Sequence, residues 1–492
     1  MSRPVSRDSL LLRCALAALA GVAFAAAPAS ARDADKAAAA TTTAVPASGV
    51  IGVQDAYFDP QFWVARLDQP DRVLLDPAAI AAQNAKLMRI DDSMHDLRTL
   101  PAMLDSATVR NWIEDLSQRP DKPLFDVEGT PVPAATLDAI VANLDLAAIP
   151  AQQSTRYGLA VRRAALRTFP TDLRVFSSAG DTDIDRFQES ALFPGTPVAI
   201  VHRSGDGDWL FVVSPRYAAW VAASSIAEGT RNEVFGYVDK APYRVVTGAK
   251  VRTVFTRERP QVSELQLDMG VRVPLADVPA DAPVNGQHPY TSWAIELPVR
   301  NDDGSLAFAP ALLQKNTDTA ADYLPLTHAN ILRQAFKFLG ERYGWGHSYN
   351  GRDCSGFVSE VYRSMGVLLP RNTSDQGVSP ALNRIHFEPE DGSGPRERAV
   401  DALQVGDLIY IPGHVMMLAG RIDGAPYVIH DTSGGSYLGA DGTLHSMHLN
   451  AVSLTPLMPL RFNVRQRYID RITNIVRIAP GAIVESSQSR AP

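Results

Sequence analysis

Between about residues 60 and 150, apolar positions recur at helical spacing. Residues 78–88 and 108–116 each place apolar side chains three and four positions apart, which predicts two helices. Pro120, Pro123, Pro131 and Pro133 interrupt the segment, so it reads as small, irregular and helix-rich. From about Tyr157 the period falls to two. Val175-Phe176, residues 197–202 and residues 209–213 read as short strands between Gly, Asp and Pro turns. The pattern then repeats about 75 residues further on. Leu192-x-x-Gly195-x-x-Val198-x-Ile200 is echoed by Leu267-x-x-Gly270-x-x-Val273-x-Leu275, and Trp220 by Trp293. Two small tandem β-barrels are the expectation.

Beyond Asn316 the texture changes again. Ile331-Leu332, Ala335-Phe336 and Phe338-Leu339 form a helical stripe ending at Gly340. A second helix is expected to start at or near Cys354, with Phe357, Val358, Val361, Tyr362 and Met365 on one face and Gly366 as its stop. Strands are expected over residues 407–411, 415–419 and 427–430. Helices followed by an antiparallel sheet predict an α+β domain. The division expected is a signal over 1–31, a linker over 32–55, a helix-rich segment over 56–150, β units over 151–228 and 229–312, the α+β domain over 318–475 and a tail over 476–492.

The N-terminus carries the pattern of an export signal. Arg3, Arg7 and Arg13 precede the apolar residues 14–27, and Ala29-Ser30-Ala31 supplies small residues for cleavage. Arg13 directly before Cys14 does not fit a lipidation signal. The apolar run is short for a membrane span, and no second run of membrane length follows, so no integral membrane segment is expected after cleavage. A net charge of −7, moving to −9 when three Arg and one Asp leave with the signal, argues against a nucleic-acid partner. The expected compartment is the periplasm, or otherwise the cell envelope or medium, and the expected state is a monomer.

Of two cysteines in the sequence, cleavage leaves Cys354 alone, in Asp353-Cys354-Ser355-Gly356-Phe357. A single thiol has no intramolecular disulfide to make, but it is a good nucleophile. A helix N-terminus and a nearby imidazolium both favour its anion. His414, in Gly413-His414-Val415, would supply the imidazole as general base, and His430, in Val428-Ile429-His430, would orient it from the next strand. An inert buried thiol is the plain alternative. Zinc ligation by Cys354, His414 and His430 lacks a fourth ligand at compact spacing, and neither metal nor cofactor is expected. His347 reads as a loop residue and Asp353 as a helix cap, a role that leaves substrate binding open.

Several ordered stretches carry a resemblance: Tyr343-Gly344-Trp345-Gly346, Asp353 to Val358, Leu369-Pro370-Arg371-Asn372-Thr373-Ser374-Asp375-Gln376, Gly406-Asp407-Leu408-Ile409, His414-Val415 and Val428-Ile429-His430. In these the segment resembles the NlpC/P60 family of peptidoglycan endopeptidases. The resemblance implies a papain-like fold with Cys354 as nucleophile, His414 as base and His430 as its orienter. It places the Tyr343 hydroxyl in the oxyanion region, assigns Asp353 to the free α-amine of L-Ala, and extends substrate binding to Ser355, Arg371 and Ser374. Multidomain relatives place a helical clip and two bacterial SH3-like domains upstream. There a tyrosine of the first SH3-like domain limits entry to short, amine-terminated stem peptides, and Tyr217 is the matching position. Two departures stand out. Tyr343 lies one residue nearer the cysteine than the family pattern, and residues 385–397 form a charged, Gly- and Pro-rich stretch expected beside the cleft.

The implied reaction is hydrolysis of the D-γ-glutamyl–diamino acid bond of murein stem peptides, with peptidoglycan or its stem peptides as partner. Another papain-like murein amidase or transpeptidase, a non-catalytic wall-binding protein, and an antibacterial toxin using the same chemistry are the competing readings.

Overall fold

The computed structural model describes residues 50–479; the export signal, most of the linker and the end of the tail lie outside the described residues. The helix-rich segment forms helices Pro60–Val64, Pro77–Ile90, Ser106–Leu116 and Ala134–Ala142. Aspartates start three of them. The carboxylates of Asp59, Asp76 and Asp105 accept from the N–H groups of Gln61, Ala79 and Thr108 at 2.8, 2.8 and 2.7 Å. The segment divides its apolar side chains between two cores. Trp63, Val64 and Ile80 pack into the C-terminal core, whereas Val109, Ile113 and Leu137 pack around Phe211 and Trp220.

The first β unit is a seven-stranded antiparallel sheet. Its spatial order is Gln188–Leu192, Ala164–Arg167, Tyr217–Ala222, Trp209–Ser214, Pro197–Arg203, Arg156–Ala160 and Ile226–Gly229. Alternate residues serve two apolar layers, Phe211 and Val213 on one face, Leu210 and Val212 on the other. The strand expected at Val175-Phe176 is absent. The Val175 N–H instead donates to the Asp185 carboxylate at 3.2 Å, and Phe176 makes only an isolated bridge to Phe125.

The second β unit consists of three small sheets around Val246, Leu267, Ile295 and Leu313. The largest is the hairpin Ser292–Arg300 with Leu306–Gln314. The sequence repeat survives at one turn. Gly195 and Gly270 are left-handed (φ 82° and 79°), and each N–H donates back to a strand carbonyl, of Ala160 and Val246, at 2.8 Å. Each glycine stands two residues before a strand. The continuous sheet of the first unit is not reproduced, so the repeat is closer in turn chemistry than in strand order.

The C-terminal domain is α+β, as expected. Its six-stranded antiparallel sheet runs Asn383–His386, Asn474–Arg477, Leu408–Ile411, His414–Ile422, Ala425–Leu438 and Leu444–Pro456. The helices His328–Phe336 and Cys354–Arg363 share one apolar layer with the sheet, where Phe357, Val358 and Val361 meet Val415, Met417 and Ile429. Helix Ser393–Asp401 covers the other face, with Ala399 and Val400 packed among Ile409, Met416 and Leu418. The 385–397 stretch is therefore not a cleft loop. It supplies an edge strand, separated by two strands from that of His414, and the start of this covering helix.

A buried ionic cluster joins the second β unit to this domain. Arg352 is fully buried; it donates to Asp268 at 3.0 Å, to the Ala249 carbonyl at 2.9 Å and to Glu360 at 2.7 Å, and it also pairs with Glu341. Among the described residues no helix is long and apolar enough to cross a membrane.

Candidate active site

Cys354 is the first residue of its helix, buried, with Asp353 as N-cap. His414 opens the neighbouring strand, and the N–H of Val415 lies near enough to the Cys354 sulfur to favour its anion. The nucleophile candidate thus sits against the peptide that follows the candidate base. His414 Nε2 lies 2.8 Å from His430 Nδ1, a diagonal contact between adjacent antiparallel strands. His430 Nε2 lies 3.0 Å from the hydroxyl of Thr455, on the strand beyond. If His430 carries its proton on Nε2 and donates to Thr455, its Nδ1 is free to accept from His414. Thr455 has no motif around it, and sequence reasoning missed it.

Burial sets the resting protonation. It pushes the Cys354 thiol up to about 12, with the Asp353 charge adding to the effect and the Val415 N–H opposing it. It pulls His414 down to about 4 and His430 well below its ordinary range. The helix N-terminus was expected to favour a thiolate; in the closed, dry cleft desolvation outweighs it. The resting pair is neutral thiol and neutral imidazole.

Asp353 is the most densely bonded carboxylate of the site. Its Oδ1 accepts from Gly356 N–H at 2.8 Å, Arg371 Nη1 at 3.1 Å and the Ser355 hydroxyl at 3.2 Å; its Oδ2 accepts from Arg371 Nη2 at 2.7 Å and Gly346 N–H at 3.0 Å. Burial alone would raise its pKa, but the charge of Arg371 and these donors hold it at about 2. Arg371 also donates to the hydroxyls of Ser190 at 2.6 Å and Ser355 at 2.9 Å, so Asp353, Ser355 and Arg371 form one cluster. Ser374 stays outside it. Its side chain is exposed on a short helix, and its hydroxyl donates to Asp375 at 3.2 Å.

His347 is more than a loop residue. It is buried, with Nδ1 3.0 Å from Arg371 Nη2 and Nε2 3.2 Å from Glu360. Burial, together with the charge of Arg371, keeps it neutral, as an acceptor for Arg371 must be. The shortened loop that carries it, Trp345–Asn350, turns tightly, with His347, Tyr349 and Asn350 all at positive φ. Tyr343 is buried, and burial with the charge of Asp353 holds its phenol protonated.

Tyr217 reaches this region from the first β unit, and its hydroxyl donates to Glu189 Oε2 at 2.5 Å. Glu189 Oε1 accepts from Thr168 at 2.5 Å. Glu189, which no local motif marked, is thus the carboxylate partner of Tyr217. It adjoins Ser190, which binds Arg371.

Comparison with known proteins decides the family at this point. The NlpC/P60 family matches residues 340–457, which span Cys354, His414, His430 and Thr455. Residues 340–457 are an NlpC/P60 domain. An SH3 domain of the SH3b1 type matches residues 174–222, including Glu189 and Tyr217. Among curated proteins, the chain is similar to a gamma-D-glutamyl-L-lysine dipeptidyl-peptidase of Bacillus cereus, 26% identical over 254 residues, covering 47% of this chain and 69% of that protein. It is also similar to a dipeptidyl-peptidase 6 of Lysinibacillus sphaericus, 31% identical over 108 residues, 22% of this chain and 33% of that protein. The solved NlpC/P60 endopeptidase of Photobacterium damselae subsp. piscicida shares the fold, with a TM-score of 0.66 at 17% identity, over 84% of this chain and 96% of that one. The chain thus carries an NlpC/P60 domain, of a family of peptidoglycan hydrolases, downstream of an SH3b domain.

Proposed function

We propose that this NlpC/P60 protein is an exported cysteine endopeptidase cleaving the D-γ-glutamyl–diamino acid bond of peptidoglycan stem peptides. The observation that carries the reading is the line from the Cys354 sulfur, against the Val415 N–H, through His414 to His430 at 2.8 Å. Because the resting pair is neutral, the thiol loses its proton to His414 as it attacks the γ-carbonyl. The Cys354 N–H and the Tyr343 hydroxyl stabilise the oxyanion. His414 then returns the proton to the departing amine of the diamino acid, leaving a γ-glutamyl thioester. Water, deprotonated by His414, hydrolyses the thioester and restores the thiol.

Glu189 is the better receptor for a free α-ammonium. A carboxylate offers about four lone-pair sites, and Asp353 already accepts five hydrogen bonds. Asp353 accordingly builds the cleft floor, while Glu189, held by Tyr217 and Thr168, keeps acceptor capacity facing the substrate. The name of the Bacillus cereus relative, a gamma-D-glutamyl-L-lysine dipeptidyl-peptidase, supports the choice of the γ-D-glutamyl bond. In this reading residues 151–228 and 229–312 are two SH3-like domains, the first serving substrate selection.

Mass spectrometry of L-Ala-γ-D-Glu-diaminopimelate, free and N-acylated, tests it with the parent protein and Cys354→Ala. Release of L-Ala-D-Glu only from the free-amine peptide, and only by the parent, is expected. Release of an intact peptide from muramic acid would mark an amidase. Inertness toward both peptides and sacculi would leave a wall-binding protein.

A further inference from the structure

A cavity of about 330 Å³ lies between the two β units and the flank of the Cys354–Arg363 helix, and neither Cys354, His414 nor His430 lines it. Its walls carry Arg216, Arg272, Arg363 and Arg371 but no aspartate or glutamate. Much of the rest is apolar, with Leu192, Phe193 and Leu368 among the lining residues.

The nearby carboxylates are already committed. Asp353 pairs with Arg371, and Glu360 pairs with Arg352. Asp268 pairs with Arg352 and Arg163, and Glu341 with Arg352 and Lys250. Arg216, Arg272 and Arg363 are left over, and Arg272 is held by the carbonyls of Val238 and Lys240. Arg216 donates only to the Ser359 hydroxyl at 2.8 Å and the Pro370 carbonyl at 3.1 Å, and its Nε is buried without a partner. Arg363 donates only to the Met269 carbonyl. Among the described residues these guanidinium groups have no carboxylate partner, and where they are shielded from water such cations are costly to keep unless a mobile anion completes them. Burial and the like charges of Arg363 and Arg371 pull Arg216 down to about 9, the direction expected of a cation awaiting its counter-charge.

We propose that this cavity binds a small organic anion, a carboxylate on a short apolar body, with its head between Arg216 and Arg363. The planar guanidinium forks suit a carboxylate, and the apolar walls reward a hydrocarbon body that inorganic phosphate lacks. The proposal does not rest on the reaction at Cys354, although Ser190, Tyr217, His347 and Arg371 line this cavity and also belong to the site described above.

Calorimetric titration of full-length Cys354→Ala protein with 4-methylpentanoate, its neutral amide and inorganic phosphate, at matched ionic strength, tests this. The acid is expected to bind about tenfold more tightly than the amide, and Arg216→Met to lose about tenfold in affinity for it. Equal binding of acid and amide, or unchanged binding in Arg216→Met, overturns the site. Phosphate binding as tightly as the acid overturns its organic character. Thermal unfolding gives a second reading if the variant binds poorly. Without ligand, Arg216→Met should melt at or above the parent, having lost a cation with no counter-charge, and the acid should raise only the parent's Tm. A ligand-free Tm well below the parent would show that Arg216 serves the packing instead, which also overturns the proposal.

Discussion

Arg371 grips both carboxylate oxygens of Asp353, at 3.1 and 2.7 Å, while its third nitrogen reaches Ser190 of the first β unit. One guanidinium therefore fixes the N-cap of the nucleophile helix and ties the SH3b domain to the catalytic cleft. Removing one partner of such a buried pair leaves a charge stranded, at a cost of about 3–5 kcal/mol. Arg371→Met is expected to lower the unfolding free energy by about that amount and to abolish peptidase activity. Urea denaturation checks it; a loss below about 1 kcal/mol would mean that water replaces the guanidinium.

His430 and Thr455 form the outer end of the proton line. His430→Ala is expected to cut kcat by about 10²-fold with KM little changed, since His414 loses its acceptor at Nε2. Thr455→Val should cost about tenfold by releasing the His430 tautomer, a smaller effect through the same bond. Steady-state kinetics on the free-amine peptide decides. A Thr455→Val variant with parental kcat would remove Thr455 from the mechanism.

The buried histidines make stability depend on pH with a definite sign. His414 drops from an ordinary 6.5 in the unfolded chain to about 4 in the fold. Between those values the unfolded state binds more protons, so stability is fully present above pH 6.5 and is lost as pH falls toward 4. The loss from this residue is about 3 kcal/mol. Asp353 works lower, its contribution being present above its unfolded 3.8 and lost as pH falls through about 2. Unfolding measured at pH 7 and pH 4.5 should show a shallower decline in His414→Gln than in the parent. Identical declines would place the proton uptake elsewhere.

The Glu189–Tyr217 pair predicts how the cleft selects its substrate. Glu189→Gln is expected to raise KM for the free-amine peptide by about tenfold or more, through loss of a charge-assisted contact, and to leave the slow reaction of an N-acylated peptide unchanged. Equal effects on both peptides would assign Glu189 to packing.

The parts of the site legible in the sequence were those carried by short-range pattern. Cys354 follows its capping aspartate directly, and His414 and His430 sit in recognisable strands, so these positions announce their chemistry. Glu189 and Thr455 do not. Each acts through a partner on a different strand, Tyr217 and His430 respectively, and a carboxylate or hydroxyl in a strand carries no signal of its own. Ser374 stands apart from the Asp353–Ser355–Arg371 cluster because a motif position says nothing of which way a short helix faces. In the fold, Val175-Phe176 has strand composition, but the Asp185 side chain takes the hydrogen bond a neighbouring strand would have supplied. The thiolate expected from helix position was a local inference that burial, a property of the whole domain, reversed.

Arg352 places a limit on modularity. Its guanidinium is satisfied only by joining Asp268 and the Ala249 carbonyl of the second β unit to Glu341 and Glu360 of the NlpC/P60 domain. A gene fragment encoding the catalytic segment alone would translate this arginine with half its partners missing. Recombination can therefore exchange this hydrolase between architectures only by carrying the upstream β unit along, or by rewriting Arg352 at the same time.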